Sequence, residues 1–461
     1  MTGILGWGGY VPHRRLDRTT IGSVAGSGGR AGTRSVASYD EDTTTMAVEA
    51  LRNALRPHSG SIDSVSFTTA APAYLDRTNA NTIHAATRLG RDVAAYDALG
   101  SARSALGALR VGLRGSGVTA VVSSDIRIGP AGGPEEAMGG DGAAALLVGR
   151  SDTVPVLAEV VAWQSLTQEF LDRWRIPGEV SSRLWEERFG ETVYAGLGAE
   201  LIKLACGAAE LDVTDVDHLV VSGLSERAAD SVAAKSGVAQ DRIVDRLVGT
   251  IGNVGAAQAA LLLCATLERA EPDQTILLVS LADGGDAVVL RTTGALAEYR
   301  QTRTVAAQAA TGAPVSYGRY LGWRGLLALE PPRRPEPARV SSPASYRNAD
   351  WKFGFVAGGE RAAPHLPPIP TDQTHTAMAD ARGTVVTFTV DRLSYSPSPP
   401  VIFAVVDFEG GGRFPVEITD VDEGDVSIGT RVELTFRRLA STEGIHNYFW
   451  KVWPMPGEGA H

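Results

Sequence analysis

Between Val93 and Leu113 the chain reads VAAYDALGSARSALGALRVGL. A short apolar run ends in Tyr96-Asp97, a small-residue turn follows at Gly100-Ser101-Ala102, and a helix is predicted from Arg103 to Leu113. Small residues let such a turn bend sharply, and the N–H groups of a helix's first turn can hold an anion. A nucleophile seated there has its anionic form stabilised. A second turn of this design opens the Ala-rich helix within Val248–Leu263, VGTIGNVGAAQAALLL; aligning the two helices sets Asn253 opposite Ser101.

The elements that must position these turns repeat as well. Ser61–Ser66 matches Asp215–Val220, Thr119–Val122 matches Thr275–Leu278, and Gly139–Ala144 matches Asp283–Val288. A near-constant shift of roughly 145–155 residues over four elements indicates one duplicated unit. Two copies with buried strands and intervening helices predict stacked α/β layers. In the first copy Ile4–Tyr10, Ser64–Thr69 and Val118–Ile126 read as strands, Thr45–Leu55 as a helix and Leu75–Leu89 as containing one. The Gly/Ser/Arg-rich stretch reaching Ser38 reads as a loop, either on the surface or over a substrate. In the second copy Leu157–Gln164 and Leu219–Leu224 read as strands, with a long helix from Trp185 to Gly207. Glu330–Pro343, EPPRRPEPARVSSP, is a semi-rigid linker. Beyond it Gly383–Leu393, Val401–Asp407, Arg413–Ile418, Arg431–Arg437 and Tyr448–Trp453 are five short strands, which suit a small barrel and an OB-fold best.

Composition narrows the function. The 461 residues carry 43 basic and 53 acidic side chains, a net charge of -10, which weighs against general nucleic-acid or anionic-membrane binding. No apolar run reaches the roughly 18–20 residues of a membrane span, and no leader pattern opens the chain, so a cytoplasmic location is expected. Cys206 and Cys264 lie among small apolar residues and read as buried, inert thiols without metal-ligand spacing. Asp125, Arg127 and Glu136 read as solvated charges.

The segments GILGWGGYVPHRRLDR, SYDEDTTTMAVEALRNAL and IGNVGAAQAALLL, in that order, resemble the thiolase superfamily, in particular its HMG-CoA synthase and ketoacyl-ACP synthase III branch. QEFLDRWRIP resembles an HMG-CoA synthase stretch, and GTVVTFTVDRL, VVDFEGGGRF and NYFWKVWP resemble an OB-fold domain that accompanies thiolases. The resemblance implies a duplicated five-layer αβαβα core, 1–150 and 151–297. A helical extension and linker, 298–343, and an OB-fold domain, 344–461, follow. The zinc-ribbon region of that domain, Tyr346–Pro368, holds no cysteine. It further implies a CoA or acyl-carrier thioester as substrate with no other cofactor and no metal, and a homodimer through the core.

The resemblance also exposes what is missing. The family's nucleophilic cysteine falls on Ala102, its histidine on Leu224 or Ser225, and the HMG-CoA synthase glutamate near Ala70; its asparagine stays, as Asn253. Alanine cannot form an acyl-enzyme, and Ser101 has no histidine in the expected place. The expectation is therefore C–C bond chemistry without a Cys acyl-enzyme, of aldol or retro-aldol type. Asn253 and the backbone N–H at Ala102 would hold the thioester oxygen. Ser101, His84, Tyr194 and Tyr317 are candidates for the remaining catalytic roles, and Arg103, Asp125, Ala70, Leu224 and Ser225 for substrate contact. Two alternatives stand beside it: a non-catalytic scaffold for an active thiolase-type chain, and an acyltransferase or condensing enzyme with a non-standard site.

Overall fold

The computed structural model describes residues 1–330 and 333–455. It divides into two compact units. One holds Met1–Ala37, Glu49–Asn81 and Gly90–Tyr317; the other holds Ser38–Val48, Thr82–Leu89 and the chain from Gly318 onward.

The first copy supplies β1 (Gly3–Tyr10), β2 (Arg14–Asp17), α1 (Thr19–Ala25), β3 (Thr33–Val36), α2 (Thr43–Leu55), β4 (Ser64–Thr69), α3 (Ala80–Ala86), β5 (Ala94–Leu99), α4 (Ser104–Arg114), β6 (Val118–Ile126), α5 (Pro134–Met138) and β7 (Asp141–Gly149). The second supplies β8 (Ala158–Leu166), β9 (Arg173–Trp174), β10 (Arg183–Leu184), α6 (Glu187–Ala208), β11 (His218–Gly223), α7 (Glu226–Lys235), α8 (Gln258–Leu267), β12 (Thr275–Leu281) and β13 (Gly285–Thr292). Their strands run in the orders β5-β4-β6-β7-β1 and β11-β12-β13-β8, joined where Gly3 meets Glu159 and Ile4 meets Ala158. One hydrogen bond marks the duplication. Asp63 takes the Val118 N–H at 2.7 Å as Asp217 takes the Thr275 N–H at 2.8 Å. The copies differ at the third strand: β5 pairs with β4 from Ser64 to Thr69, whereas its counterpart makes a lone bridge from Ile243 to Leu219.

Layering follows from which faces are apolar. Leu106 and Leu109 of α4 and Leu261 and Leu263 of α8 share one core with Val121 and Leu146 of the first sheet and Leu278 and Val288 of the second. The two small-residue helices are thus the middle layer. Leu201 of α6 and Val232 of α7 cover the far side of the second sheet at Val221 and Val279. On the first sheet α2 anchors to β1, Asn53 donating to the Gly9 carbonyl at 2.9 Å. Every residue of β7 and β12 is buried, as strands covered on both faces must be. The fold is the thiolase-like αβαβα sandwich.

One local expectation needs correction. The stretch reaching Ser38 carries β2, α1 and β3, because β2 and β3 pair with each other and β2 with β14 (Ala313–Pro314). The helix expected within Leu75–Leu89 is present, from Ala80 to Ala86. The Asp97 carboxylate accepts the N–H groups of Asn79 (2.7 Å) and Ala80 (2.8 Å) and fixes its start.

Before β14 comes α9 (Val305–Ala310); after it α10 (Tyr317–Trp323) leads into the second unit. There α11 (Ser342–Arg347), α12 (Ala349–Gly354), β15 (Val356–Gly358) and β16 (His375–Ala377) precede the barrel strands. These are β17 (Arg382–Asp391), β18 (Val401–Phe408), β19 (Arg413–Ile418), β20 (Arg431–Thr442) and β21 (Ile445–Pro454). They close in the order β17-β18-β19-β21-β20, the expected OB-fold barrel, over fully buried Phe436 and Trp450. Residues 331 and 332 of the linker lie outside the described residues.

Candidate functional site

A cavity of about 450 Å³ opens in the first unit where β4, β5, β6 and β11 end. Ligands of α/β sheets gather at such carboxyl ends. Gly100, Ser101 and Ala102 line it from the turn before α4, Ala70 from beyond β4, Asp125 and Arg127 from the end of β6, Leu224 from beyond β11, and Asp283 from the turn before β13. Asp172 to Gly178, in the segment between β8 and α6, line it as well.

The α4 turn depends on Gly100, whose φ of +109° suits glycine. The Ser101 hydroxyl donates to the Asp283 carboxylate and accepts the Arg103 N–H at 3.2 Å. The backbone N–H groups of Ser101 and Ala102 make no hydrogen bond among the described residues. Asp283 itself has a φ of +48°, and its N–H donates to the Tyr194 hydroxyl at 3.2 Å. Tyr194 in turn donates to Asp172 Oδ1 at 3.4 Å. Burial, followed by the charge of Asp283, raises the Asp172 carboxyl above its ordinary pKa.

Asp125, Arg127 and Glu136 are 1%, 8% and 0% exposed, which corrects the reading of them as solvated. Each is buried against a partner. Asp125 accepts the Ala256 N–H at 3.0 Å, Arg127 pairs with Glu135, and Glu136 accepts the Gly132 N–H and the Tyr317 hydroxyl, both at 2.7 Å. Burial raises the Asp125 carboxyl, with Arg127 opposing. Arg173 also grips Glu135, and burial, aided by Arg127, pushes its guanidinium well below the ordinary value.

Of the residues singled out in the sequence, the structure brings Ser101, Ala102, Ala70, Leu224 and Asp125 to the cavity; the others lie elsewhere. Asn253 is not in its wall: its amide donates to the Gly223 carbonyl (2.7 Å) and Glu226 (2.8 Å), so neither hydrogen faces a ligand. The Arg103 side chain turns away to Asp286, the Asp283 carbonyl and the Leu166 carbonyl. Ser225 caps α7 through the Ala228 N–H, and Tyr317 is buried on Glu136. His84 sits on α3 in the stretch Thr82–Leu89 of the second unit. Cys206 and Cys264 are buried, and burial raises both thiols.

Sequence reasoning did not single out Asp172, Arg173, Arg175 and Asp283 as site residues. The signals were there: closely spaced charges and aromatics in QEFLDRWRIPGE, and an aspartate, Asp283, aligned with Gly139 of the first copy.

Comparison with known proteins agrees with this architecture. Residues 206–292 match the family described as 3-oxoacyl-[acyl-carrier-protein] synthase III C terminal, and residues 376–437 match the ChsH2 C-terminal OB-fold domain. The hydroxymethylglutaryl-CoA synthase of Thermococcus sibiricus is 30% identical over 316 residues, covering 65% of this chain and 89% of that one. That of Methanopyrus kandleri is 29% identical over 320 residues, covering 65% and 90%. Among solved structures, MvaS in complex with 3-hydroxy-3-methylglutaryl coenzyme A superposes with a TM-score of 0.59 at 20% identity, over 73% of this chain and 94% of that one. The β-ketoacyl-[acyl carrier protein] synthase III of Thermus thermophilus does so with a TM-score of 0.53 at 21% identity, over 63% and 99%. Two matched β-sheet halves, a cavity at their strand ends and these relatives converge: the chain belongs to the hydroxymethylglutaryl-CoA synthase and ketoacyl-ACP synthase III branch of the thiolase superfamily, extended by an OB-fold domain.

Proposed function

We propose that this protein makes or breaks a C–C bond beside a CoA thioester carbonyl without acylating itself, as a lyase of aldol or retro-aldol type. One observation carries the reading. The cavity is lined by the Ala102 methyl group and by Ser101 and Ala102, whose backbone N–H groups have no hydrogen-bond partner among the described residues. Two such donors suit a thioester oxygen whose charge grows as an enolate forms. Retro-aldol cleavage needs those donors and a base for the hydroxyl proton, but no nucleophile. The names of the related synthases support a CoA thioester as the substrate. The unpaired edge of β5 is the place where a second copy would extend the first sheet across a two-fold.

Purified protein given a panel of 3-hydroxyacyl-CoA thioesters is expected to release a carbonyl compound and a shorter acyl-CoA in equal amounts. Covalent acyl adducts on the intact chain during turnover would count against the reading. A scaffold for an active thiolase-type chain is the second reading, favoured by the engagement of both Asn253 amide hydrogens inside the fold. It requires silence alone and stimulation of a partner.

A further inference from the structure

Retro-aldol cleavage requires a group that takes the hydroxyl proton, and the positions inherited from the family supply none. Ala102, Leu224 and Ala70 carry no titratable atom. Four carboxylates line the cavity instead: Asp125, Asp172, Glu179 and Asp283. Each has a contact of its own. Asp125 holds the Ala256 N–H beside Arg127, Asp283 receives the Ser101 hydroxyl, and Glu179 pairs with Arg183. At Asp172 the Tyr194 hydroxyl holds Oδ1 and backbone N–H groups of its own segment also stabilise the carboxylate, while burial and the charge of Asp283 raise its pKa above the ordinary value.

We infer that Asp172 is the catalytic base of this cavity and Tyr194 its positioning residue, an inference that rests on the lyase reading above. Tyr194 has one hydroxyl hydrogen. Its oxygen accepts the Asp283 N–H at 3.2 Å, so the hydrogen is directed to Asp172 Oδ1. The phenol cannot wander: it is 1% exposed, and the Phe170 ring packs against it edge-on at 4.9 Å. The Asp172 backbone is also tied, its carbonyl accepting the Trp185 N–H at 2.8 Å. The carboxylate is thereby held in one orientation at the cavity wall.

The charged and titratable groups around Asp172 come from every neighbouring element. They are Asp283 from the turn before β13, Tyr194 from α6, Arg173 from its own segment, and Asp125 and Arg127 from β6. Burial and Asp283 raise the Asp172 carboxyl, which makes its ionised form the stronger base. In the step, the Asp172 carboxylate takes the 3-hydroxyl proton and the hydroxyl oxygen's electron pair forms the new carbonyl. The Cα–Cβ bond breaks and its electrons pass into the thioester enolate, held at the N–H groups of Ser101 and Ala102. The proton then returns from Asp172 to Cα, so that atoms and electrons balance without any oxidant.

The test uses the full chain, with kcat and kcat/KM followed against pH and acetyl-CoA binding followed by calorimetry. Asp172→Asn is expected to lower kcat about 100-fold or more, with acetyl-CoA affinity kept within about threefold. Tyr194→Phe removes the hydrogen bond that holds the Asp172 carboxyl down, so the acid limb of kcat/KM moves to higher pH. If Asp172→Asn does not fold, Asp172→Glu replaces it, with at least a tenfold loss of kcat expected. A folded variant at Asp172 with native kcat, or an unmoved acid limb in Tyr194→Phe, overturns this assignment and leaves the lyase reading intact. A native protein silent on every 3-hydroxyacyl-CoA removes both.

Discussion

The two helix starts of the duplicated core share a design and have opposite fates. At α4 the turn faces a cavity; among the described residues the Ser101 and Ala102 N–H groups have no hydrogen-bond partner, and a Cβ at Gly100 would meet no atom within 4 Å. At α8 the Val254 N–H goes to Gln258 (2.8 Å), that of Gly255 to Asn253 (3.0 Å), and that of Ala256 to Asp125 (3.0 Å). A helix start attracts negative charge in either case. In one copy that attraction is left for a ligand; in the other an internal carboxylate and two side-chain amides satisfy it. Donors left unsatisfied are open to a ligand, and donors that are quenched contribute to stability.

The sharpest way to break this contrast is Gly255→Ala. Gly255 has a φ of +58°, and a Cβ there would lie 2.2 Å from Asp125 Oδ2. The strained conformation and the displaced buried carboxylate together are expected to cost about 3 kcal/mol in denaturant unfolding. Gly100→Ala, with no overlap, is expected to lose about 1–2 kcal/mol from backbone strain alone; equal losses would sink the contrast. A smaller effect is expected from Asn253→Ala. It leaves the Gly223 carbonyl and Glu226 without their partner, which costs about 2 kcal/mol of stability. Native stability combined with a 100-fold slower reaction would instead make Asn253 a substrate contact. The least effect is expected at the open helix start: Ala102→Cys should change stability by about 0.5 kcal/mol or less and give no condensing activity. A stable acyl-enzyme that turns over would contradict that.

Much of the architecture was legible because it rests on local patterns. The pairing of Asp63 with Asp217 marked the duplication since each carboxylate does the same job at a strand start. Alternating residues located the barrel strands to within a few positions, apart from longer ends on β20 and β21. The site was legible in part. Aligning the helices put Asn253 opposite Ser101, but an alignment gives a position and not a side-chain direction; the amide points back to Gly223. The burial of Asp125 and Glu136 depends on Ala256 and Tyr317, more than a hundred residues away in sequence. Asp172 lies in QEFLDRWRIP, whose resemblance to an HMG-CoA synthase stretch assigns it no role, and α6, through Tyr194, links it to Asp283.

The missing third strand of the second copy has a consequence for assembly. At one end of the joined sheet β5 has no outer neighbour among the described residues and Tyr96 is 66% exposed; at the other, β11 meets the lone bridge at Ile243, and Val244 donates to the Leu219 carbonyl. A repeat with two sticky margins would propagate copy upon copy into a filament. Here the two margins differ in what an added strand would meet: the six residues of β5 present an open edge, whereas a strand arriving at β11 must first displace the Val244–Leu219 hydrogen bond.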